Sequence, residues 1–350
     1  MDLNNLARHA GEWLRGTGTD ADIVISCRIR LARNVPDFPF VTRCTPAQRT
    51  ELAEILRTNV LAAGLGESAQ YLAIEDLEQV DRLFLVERHL VSKEHAEGEG
   101  ARGVAFDMRE TVSIMINEED HLRIQAFKSG FHLEDTWTAI DSLDDRIGDR
   151  VEYAFSEQLG YLTACPTNVG TGMRASVMLH LPGLVLTRQI EKVFRAVARL
   201  RLAVRGLYGE GTQATGDFYQ ISNQGSLGKS EQNLLKTLDA AIPQIVEYEK
   251  QARAVLVAES PTPLDDKIHR SWGILTNART ISSDETLMLL SAVRLGIHLG
   301  RLKGVPIATV NDLFLLTRPG HIQKIRGAEL AESERDIARA DYIRKRLGSP

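Results

Sequence analysis

The stretch CPTNVGTGMRASVMLHLP, Cys165 to Pro182, places a lone thiol, a turn broken by Gly170 and Gly172, and Arg174 at the mouth of an alternating apolar run. Pro166 and the polar turn keep the thiol out of any regular strand or helix. From Arg174 onward, Ala175, Val177, Leu179 and Leu181 fall on one side and Ser176, Met178 and His180 on the other, which is the period of a strand. Taken alone, Cys165 has two readings: a structural thiol packed ahead of a half-exposed strand, or a reactive group presented at the strand's mouth.

Other segments bring more chemistry of the same kind. NEEDHLRIQ, Asn117 to Gln125, follows the alternating run Val112–Ile114–Ile116 and packs Glu118, Glu119, Asp120, His121 and Arg123 together at a strand end. By itself it reads as a solvated turn. RGLYGEGT, Arg205 to Thr212, leaves another apolar run and ends in a Gly-flanked carboxylate, Glu210. SCRIRLARN, Ser26 to Asn34, alternates Arg28 and Arg30 on one strand face. Five arginines (Arg28, Arg30, Arg123, Arg174, Arg205) thus sit at or near the ends of separate strands, with Glu119, Glu210 and Cys165 beside them.

A cage of permanently charged guanidinium forks suits a polyphosphate, because each planar fork grips phosphate oxygens in pairs. At an effective dielectric near 20, unit charges about 4 Å apart attract by roughly 4 kcal/mol, so several forks can hold a nucleotide without a P-loop. The same groups stabilise charge on a transferring phosphoryl group. Two carboxylates would then hold a cationic acceptor and assist its deprotonation, which a guanidinium with a free pKa above about 12 requires. A thiolate held beside positive charge could orient the same cation.

These residues resemble the guanidino phosphotransferase (phosphagen kinase) superfamily, most closely its McsB-type protein-arginine kinases. The matching pieces are SCRIRLARN, VERHLVS (Val86–Ser92), NEEDHLRIQ, CPTNVGTGMRAS, RGLYGEGT and ISNQGSLGKSE (Ile221–Glu231), in the family's order. The resemblance implies an α+β catalytic domain, an antiparallel sheet flanked by helices, that binds ATP and Mg2+. By motif position it assigns nucleotide contacts to Ser26, Cys27, Arg28, Ile29 and Arg30, and to His89 and Arg123. It extends them to Arg174, Ala175, Ser176, Val177 and Met178, and to Arg205, Gly206, Leu207, Tyr208, Gly209 and Glu210. Glu119 and Glu210 would grip the guanidinium, with Cys165 beside it. Cys27 departs from the family pattern, where Ser or Thr is expected.

The Ser-x-Arg-x-Arg motif begins at Ser26, which leaves no room before it for the helical N-terminal domain of small-molecule phosphagen kinases. About ninety residues also follow the last kinase motif. Both features favour the protein-arginine kinase branch and an acceptor site open to an arginine side chain. The resemblance further implies a McsA-like activator, a CtsR-like repressor substrate, and marking of proteins for the ClpC–ClpP protease. A compact kinase of free arginine and a weakly catalytic phosphoarginine-binding adaptor are the alternatives.

RDIARA, Arg335 to Ala340, resembles the family's phosphoarginine-binding motif. Arg335 and Arg339 are four residues apart on one helical face with Asp336 adjacent, so two guanidiniums could hold a phosphoryl group while the carboxylate pairs with the ligand's guanidinium. The expected set is Arg335, Asp336, Ile337, Ala338, Arg339 and Ala340; a solvated ion pair is the plainer reading.

At 350 residues the chain has room for two domains. The Pro-rich Ser260–Pro263 is the boundary signal, giving a catalytic unit over 1–257 and a small all-α unit over 258–350 that would carry homodimerisation and phosphoarginine binding. Formal charge is −5, with no basic tract announcing direct nucleic-acid binding. Residues 258–350 hold 14 Lys and Arg against 11 Asp and Glu, a mild basic bias. Cys27, Cys44 and Cys165 cannot all pair and form no metal-ligand cluster. The start carries no secretory signal pattern and no run suits a bilayer, so a cytoplasmic protein is expected. SNQGSLGKS mimics a Walker loop but has Asn223 where Gly is required, and His121 and His180 read as strand-edge polar residues rather than metal ligands.

Periodicity predicts a capped helix over Thr45–Ala63, a short N-terminal docking helix with Leu3, Leu6, Trp13 and Leu14, and further helices over Leu133–Glu157, Thr187–Arg199, Gly228–Ala254, Asp284–Leu299, Thr309–Leu316 and Glu332–Leu347. Strands are predicted over Arg82–Glu87, Gly103–Asp107, Thr111–Ile116, Leu122–Phe127, Arg174–Leu181, Leu202–Leu207 and Phe218–Ser222, joined by short links that favour antiparallel pairing.

Overall fold

The structure is a computed structural model that describes residues 3–66, 68–206 and 215–348. In chain order its strands are β1 (Val24–Arg33), β2 (Gln70–Ala73), β3 (Gly103–Phe106), β4 (Val112–Ile116), β5 (Leu122–Ser129), β6 (Phe155–Ser156), β7 (Gly160–Tyr161), β8 (Met173–His180), β9 (Leu202–Gly206) and β10 (Phe218–Asn223). Eight of them form one sheet in the order β2-β3-β4-β5-β1-β8-β10-β9, every neighbouring pair antiparallel. The remaining two form the hairpin β6–β7.

The pleat sorts the side chains as the alternation predicted. Cys27, Ile29 and Leu31 of β1 share a face with Ile124, Ala126, Ala175, Val177, Leu179 and Ile221, all within the main apolar core. Helices cover that face: α1 (Pro46–Ala62), α4 (Leu133–Gly148), α6 (Ile190–Arg199) and α7 (Glu231–Glu259) all give buried side chains to the same core. α1 starts where expected, because Thr45 Oγ1 accepts from the Gln48 amide (3.3 Å) and Gln48 Oε1 accepts from the Thr45 amide (3.0 Å). Shorter helices α2 (Gln79–Glu87), α3 (Lys93–Glu97) and α5 (Pro182–Leu186) sit between strands.

The other face is divided in two. At one end Phe127, Met178 and Phe218 join Trp13 and Leu14 in an apolar cluster with Leu287, Leu290, Val310 and Phe314. The last three belong to the C-terminal helices α8 (Pro261–Asn277), α9 (Ser283–His298), α10 (Ile307–Leu316), α11 (Pro319–Arg326) and α12 (Glu332–Leu347), as does Leu287. Residues 258–350 therefore share a core with the sheet. At the opposite end the same face carries the arginines.

Several predicted elements take other forms. Arg82–Glu87 is helical, within α2: short apolar runs do not separate strand from helix, and tertiary packing decides. Glu87 ends α2 buried, accepting from the Gly320 and His321 amides (2.8 and 3.1 Å) at the start of α11. The helix from Leu133 stops at Gly148, and the Ala154 amide then bonds Asn34 O (2.7 Å), drawing the chain back into the β6–β7 hairpin. The helix expected from Thr187 begins at Ile190, after Arg188 takes φ 57°. The N-terminal residues dock as two short 3-10 turns, Leu3–Arg8 and Glu12–Leu14, with Leu3, Leu6, Trp13 and Leu14 buried. The predicted end of β9 at Leu207 lies outside the described residues.

His180 is no edge residue. It is fully buried, and its Nδ1 lies 2.9 Å from Nη1 of the equally buried Arg294. Arg294 can only donate, so Nδ1 accepts and Nε2 carries the proton. Nε2–H then donates to Ser291 Oγ (2.8 Å), which donates to Asp217 Oδ2 (3.0 Å). Burial and the Arg294 charge push the His180 pKa well down, so the imidazole stays neutral between cation and carboxylate. The relay bolts α9 to the start of β10. Among the described residues no helix is long and apolar enough to cross a membrane.

Candidate active site

Register places all five arginines on one sheet face. Arg30 stands directly opposite Arg174 on β8 and Gln125 on β5; Arg28 stands opposite Ser176 and Phe127; Arg123 stands opposite Ala32. Arg205 pairs with Gln220, which pairs with Met178, and so falls on the same side. Directly opposed side chains have Cβ atoms about 5 Å apart, where like charges repel.

Few protein groups offset this charge. Arg28 donates through Nε to Gln125 Oε1 (3.1 Å), a neutral partner, and lies 5.0 Å from the Phe127 ring centroid. Arg174 donates to Ser222 Oγ (3.0 Å). The Arg30 side chain makes no hydrogen bond or ion pair to any described residue, its buried Nε included. Burial, then the charges of Arg123 and Arg174, lowers the Arg28 pKa to about 9; burial, then Arg205 and Arg123, lowers Arg174 to about 10. Burial and the same neighbours push Arg30 well below its usual value. Buried polar groups are normally satisfied. The arrangement suits an anion with several oxygens.

Beside the arginines lies a recess of about 90 Å³ whose walls include Trp13, Ser26, Arg28, His89, Ser176 and Gln220. The Trp13 and His89 rings meet edge-on with centroids 4.7 Å apart. Burial, then the charges of Arg28, Arg318 and Arg30, lowers the His89 pKa to about 3, so it faces a ligand as a neutral ring. Trp13 Nε1 is a second buried donor without a partner among the described residues.

Acidic and thiol groups border the arginines on the other side. Glu118 pairs with Arg123 and accepts from Ser92 Oγ (2.6 Å). Burial would raise the Glu118 pKa, but Arg123 and the Ser92 hydroxyl overcome it and hold the carboxyl at about 2. Glu119 is exposed and makes no side-chain hydrogen bond or ion pair to a described residue; desolvation, then Asp120 and Glu118, raises its pKa. A cationic ligand would relieve that. Buried Asp120 accepts from the Ala164 amide (2.7 Å) and from Asn34 Nδ2 (2.7 Å), which also reaches Leu162 O (3.0 Å). The turn before Cys165 is thereby tied to the end of β1. Cys165, half-buried with Sγ 3.1 Å from Thr167 Oγ1, lies within electrostatic reach of Arg174. Gly172 takes φ 66°, and a Cβ there would lie 2.6 Å from Ala32 O, so the turn needs glycine.

Residues 51–252 match the ATP:guanido phosphotransferase C-terminal catalytic domain, and residues 261–350 match the protein-arginine kinase McsB C-terminal domain. The chain belongs to the ATP:guanido phosphotransferase family. A relative from Symbiobacterium thermophilum, a protein-arginine kinase, is 45% identical over the whole of both chains. Among solved structures, a lombricine kinase aligns with TM-score 0.59 and 27% identity over 72% of this chain and 76% of its own. A duplicated taurocyamine kinase from Schistosoma mansoni, bound to transition-state analogue components, aligns with TM-score 0.60 and 29% identity over 70% of this chain. This chain spans 35% of that duplicated one. The protein is accordingly an ATP-dependent phosphotransferase with a guanidino acceptor, of the McsB type.

The family motifs divide by the pleat. Ser26, Arg28, Arg30, Arg174, Ser176, Met178 and Arg205 share the arginine face with Arg123. Cys27, Ile29, Ala175 and Val177 do not reach it: all four are fully buried in the core beneath. Cys27 lies against Gly130 O and the His132 amide, and burial raises its pKa to about 12; the Ala175 amide is taken by Asn223 Oδ1 (2.8 Å). Assigning nucleotide contacts to contiguous runs overlooks the alternation of a strand. Gly206 ends β9, whereas Leu207, Tyr208, Gly209 and Glu210 lie outside the described residues.

In RDIARA, Arg335 donates to Leu330 O (2.8 Å) and lines a groove of about 480 Å³ with Gln79, Leu83 and Gln323. Arg339 is buried and committed to Thr317 O (2.7 Å), Ile281 O (2.8 Å) and Asp336. Ala338 and Ala340 are buried, and Ile337 is exposed. Only Arg335 of the two arginines faces outward.

Sequence reasoning passed over Gln125, Trp13, Glu118, Asn34 and Asp120 as site residues. Gln125 was legible, since it repeats the spacing from Arg123 on an alternating strand; Trp13 was not, because it arrives from a distant segment.

Glu118 yields a pH test. Its folded pKa is depressed from 4.5 to about 2, so its stabilising contribution is present above the unfolded value and lost as pH falls through the folded one. Glu118→Gln should lower the unfolding free energy at pH 7, with the gap to the parent protein shrinking between pH 4.5 and 2. A gap independent of pH would show that the Glu118 charge is irrelevant to the fold.

Proposed function

We propose that the protein transfers the γ-phosphoryl group of ATP to the guanidinium of arginine side chains in proteins. The observation that carries this is the set of five guanidiniums on one sheet face, meeting an exposed carboxylate and a thiol at its border. The likeness to protein-arginine kinases over the full chain supports a protein-borne acceptor, as does the exposure of Glu119.

ATP would place its base near Trp13 and His89 and its phosphates against Arg28, Arg30, Arg123, Arg174 and Arg205. The acceptor guanidinium would lie between Glu119, Glu210 and Cys165. Its terminal nitrogen attacks the γ-phosphorus, an N–P bond forms, the P–O bond to ADP breaks, and a carboxylate takes the nitrogen's proton. Mg2+ would screen the phosphate charge. It would enter on the nucleotide, since no group of three or more His, Cys, Asp or Glu among the described residues is placed to hold an ion. Asp120 and Asn34 act as positioning residues for the Cys165 turn.

The division of labour we propose follows the two matched segments, with chemistry in 1–257 and homodimerisation and phosphoarginine sensing in 258–350. Phosphoarginine would bind in the groove at Arg335. Asp336 would have to leave buried Arg339 in order to pair with a ligand, so the groove is sensitive to the state of the segments that Arg339 clamps. A McsA-like activator, a CtsR-like repressor substrate and delivery to ClpC–ClpP in the cytoplasm complete this reading.

In a transfer assay with Mg2+ and labelled ATP, an unfolded arginine-rich protein should acquire acid-labile label and free arginine should not. Glu119→Ala should reduce transfer by at least about a hundredfold while ATP binding persists. Label on free arginine alone would replace the proposal with a small-molecule kinase, and undiminished turnover in Glu119→Ala would remove that carboxylate from the mechanism. Separately, Arg335→Ala should retain basal transfer and abolish any response to added phosphoarginine; an unchanged response would return the motif to a surface ion pair.

A further inference from the structure

A groove of about 730 Å³ lies away from the arginine face, between the first 3-10 turn and helices α11 and α12. Five cations line it, Arg8, Lys324, Arg326, Lys345 and Arg346, against a single lining carboxylate, Asp341. Nearby acids answer only part of that charge. Lys324 Nζ lies 2.6 Å from Asp81 Oδ1, and Arg346 Nη2 lies 2.7 Å from Asp312 Oδ2. Asp341 is shared between Arg326, at 3.4 Å, and Arg344. Arg8 and Lys345 make no hydrogen bond or ion pair to any described residue.

The floor is apolar. Ala7, Ile322 and Ala338 are buried, and the Tyr342 ring lies beneath the Arg346 guanidinium. Along α12 the lining positions are 338, 341, 342, 345 and 346, one helical stripe, and along α11 they are 322, 324, 325 and 326, so two helices flank a trough.

We propose that this trough docks an acidic amphipathic helix of a partner protein. Its apolar side chains would enter the floor and its Asp and Glu would meet the cationic rim, as helices do in grooves read at i, i+3/i+4 and i+7. A bare phosphate would want convergent donors, whereas these cations are dispersed around an apolar floor. A long nucleic acid or an anionic membrane would extend onto a chain whose formal charge is −5. The groove wall also leads toward the nucleotide recess: Arg88 donates to His9 O (3.1 Å), next to Arg8, and the same segment delivers Trp13 to His89.

The test uses the full chain and a fluorescent synthetic peptide with Leu on one helical face and Glu along both flanks, followed by anisotropy at low and physiological salt. Saturable binding that weakens with salt is expected. It should fall at least about tenfold in Arg8→Glu with Lys345→Glu, two solvent-facing changes that break no ion pair described here. The same peptide with Lys for Glu should not bind, and Arg335→Ala should bind as the parent does. Equal binding of both peptides, or full binding by the charge-reversed variant, would overturn the proposal. So would absence of peptide binding alongside capture of inorganic polyphosphate or phosphatidylglycerol vesicles.

Discussion

Arg30 and Arg174 face each other across the two central strands, with Arg28 and Arg123 close by and Glu118, paired with Arg123, the carboxylate among the described residues that answers part of their charge. Like charges on directly opposed strand positions repel, and burial strengthens that repulsion. Something must hold these groups where they would not settle unaided. The opposite face of the same strands does so, because Cys27, Ile29, Leu31, Ala175 and Val177 are locked into the main core. A strand whose apolar half is fixed cannot turn its polar half away. The fold thus leaves a cluster of cations that a nucleotide triphosphate would satisfy at the step where charge must be stabilised.

The remaining parts set the limits of that face. The C-terminal helices and the Trp13 segment cover its apolar end, so the guanidiniums open beside a recess able to take an uncharged ring. The Arg294–His180–Ser291–Asp217 relay ties α9 to the start of β10, and Arg339 ties α12 to Ile281, just ahead of α9. A change at α12 therefore has packed and hydrogen-bonded neighbours leading back to the sheet. That continuity would give the phosphoarginine binding proposed for the helical segment a physical route to the chemistry.

Alternation from Arg174 to Leu181 revealed which side chains share a face, and it put Ala175, Val177, Leu179 and Leu181 in the main core; on the other face Met178 and His180 are buried as well, under the C-terminal helices. The arginines were legible for the same reason, each being the polar member of an alternating strand. Within the contiguous motifs, Cys27, Ile29, Ala175 and Val177 send their side chains into the core, because a strand sends neighbours to opposite faces. Arg82–Glu87 misled because an apolar run that short suits a strand or a docked helix equally, and the choice falls to the Glu87 contact with α11. His180 and Arg339 looked like surface polar residues; their partners, Arg294, Ser291, Thr317 and Ile281, are far away in sequence. Glu118 and Glu119 are adjacent acids with opposite fates, which the Arg123 ion pair and the Ser92 hydroxyl distinguish.

The most direct measurement compares thermal unfolding of the parent protein and Arg30→Met, each with and without Mg2+ and ATP. If the arginine face is an unneutralised cradle, removing its most isolated charge should raise the melting temperature of the free protein while abolishing the nucleotide-induced rise. An Arg30→Met protein that melts lower than the parent when free, or is stabilised by ATP as much as the parent is, would contradict that picture.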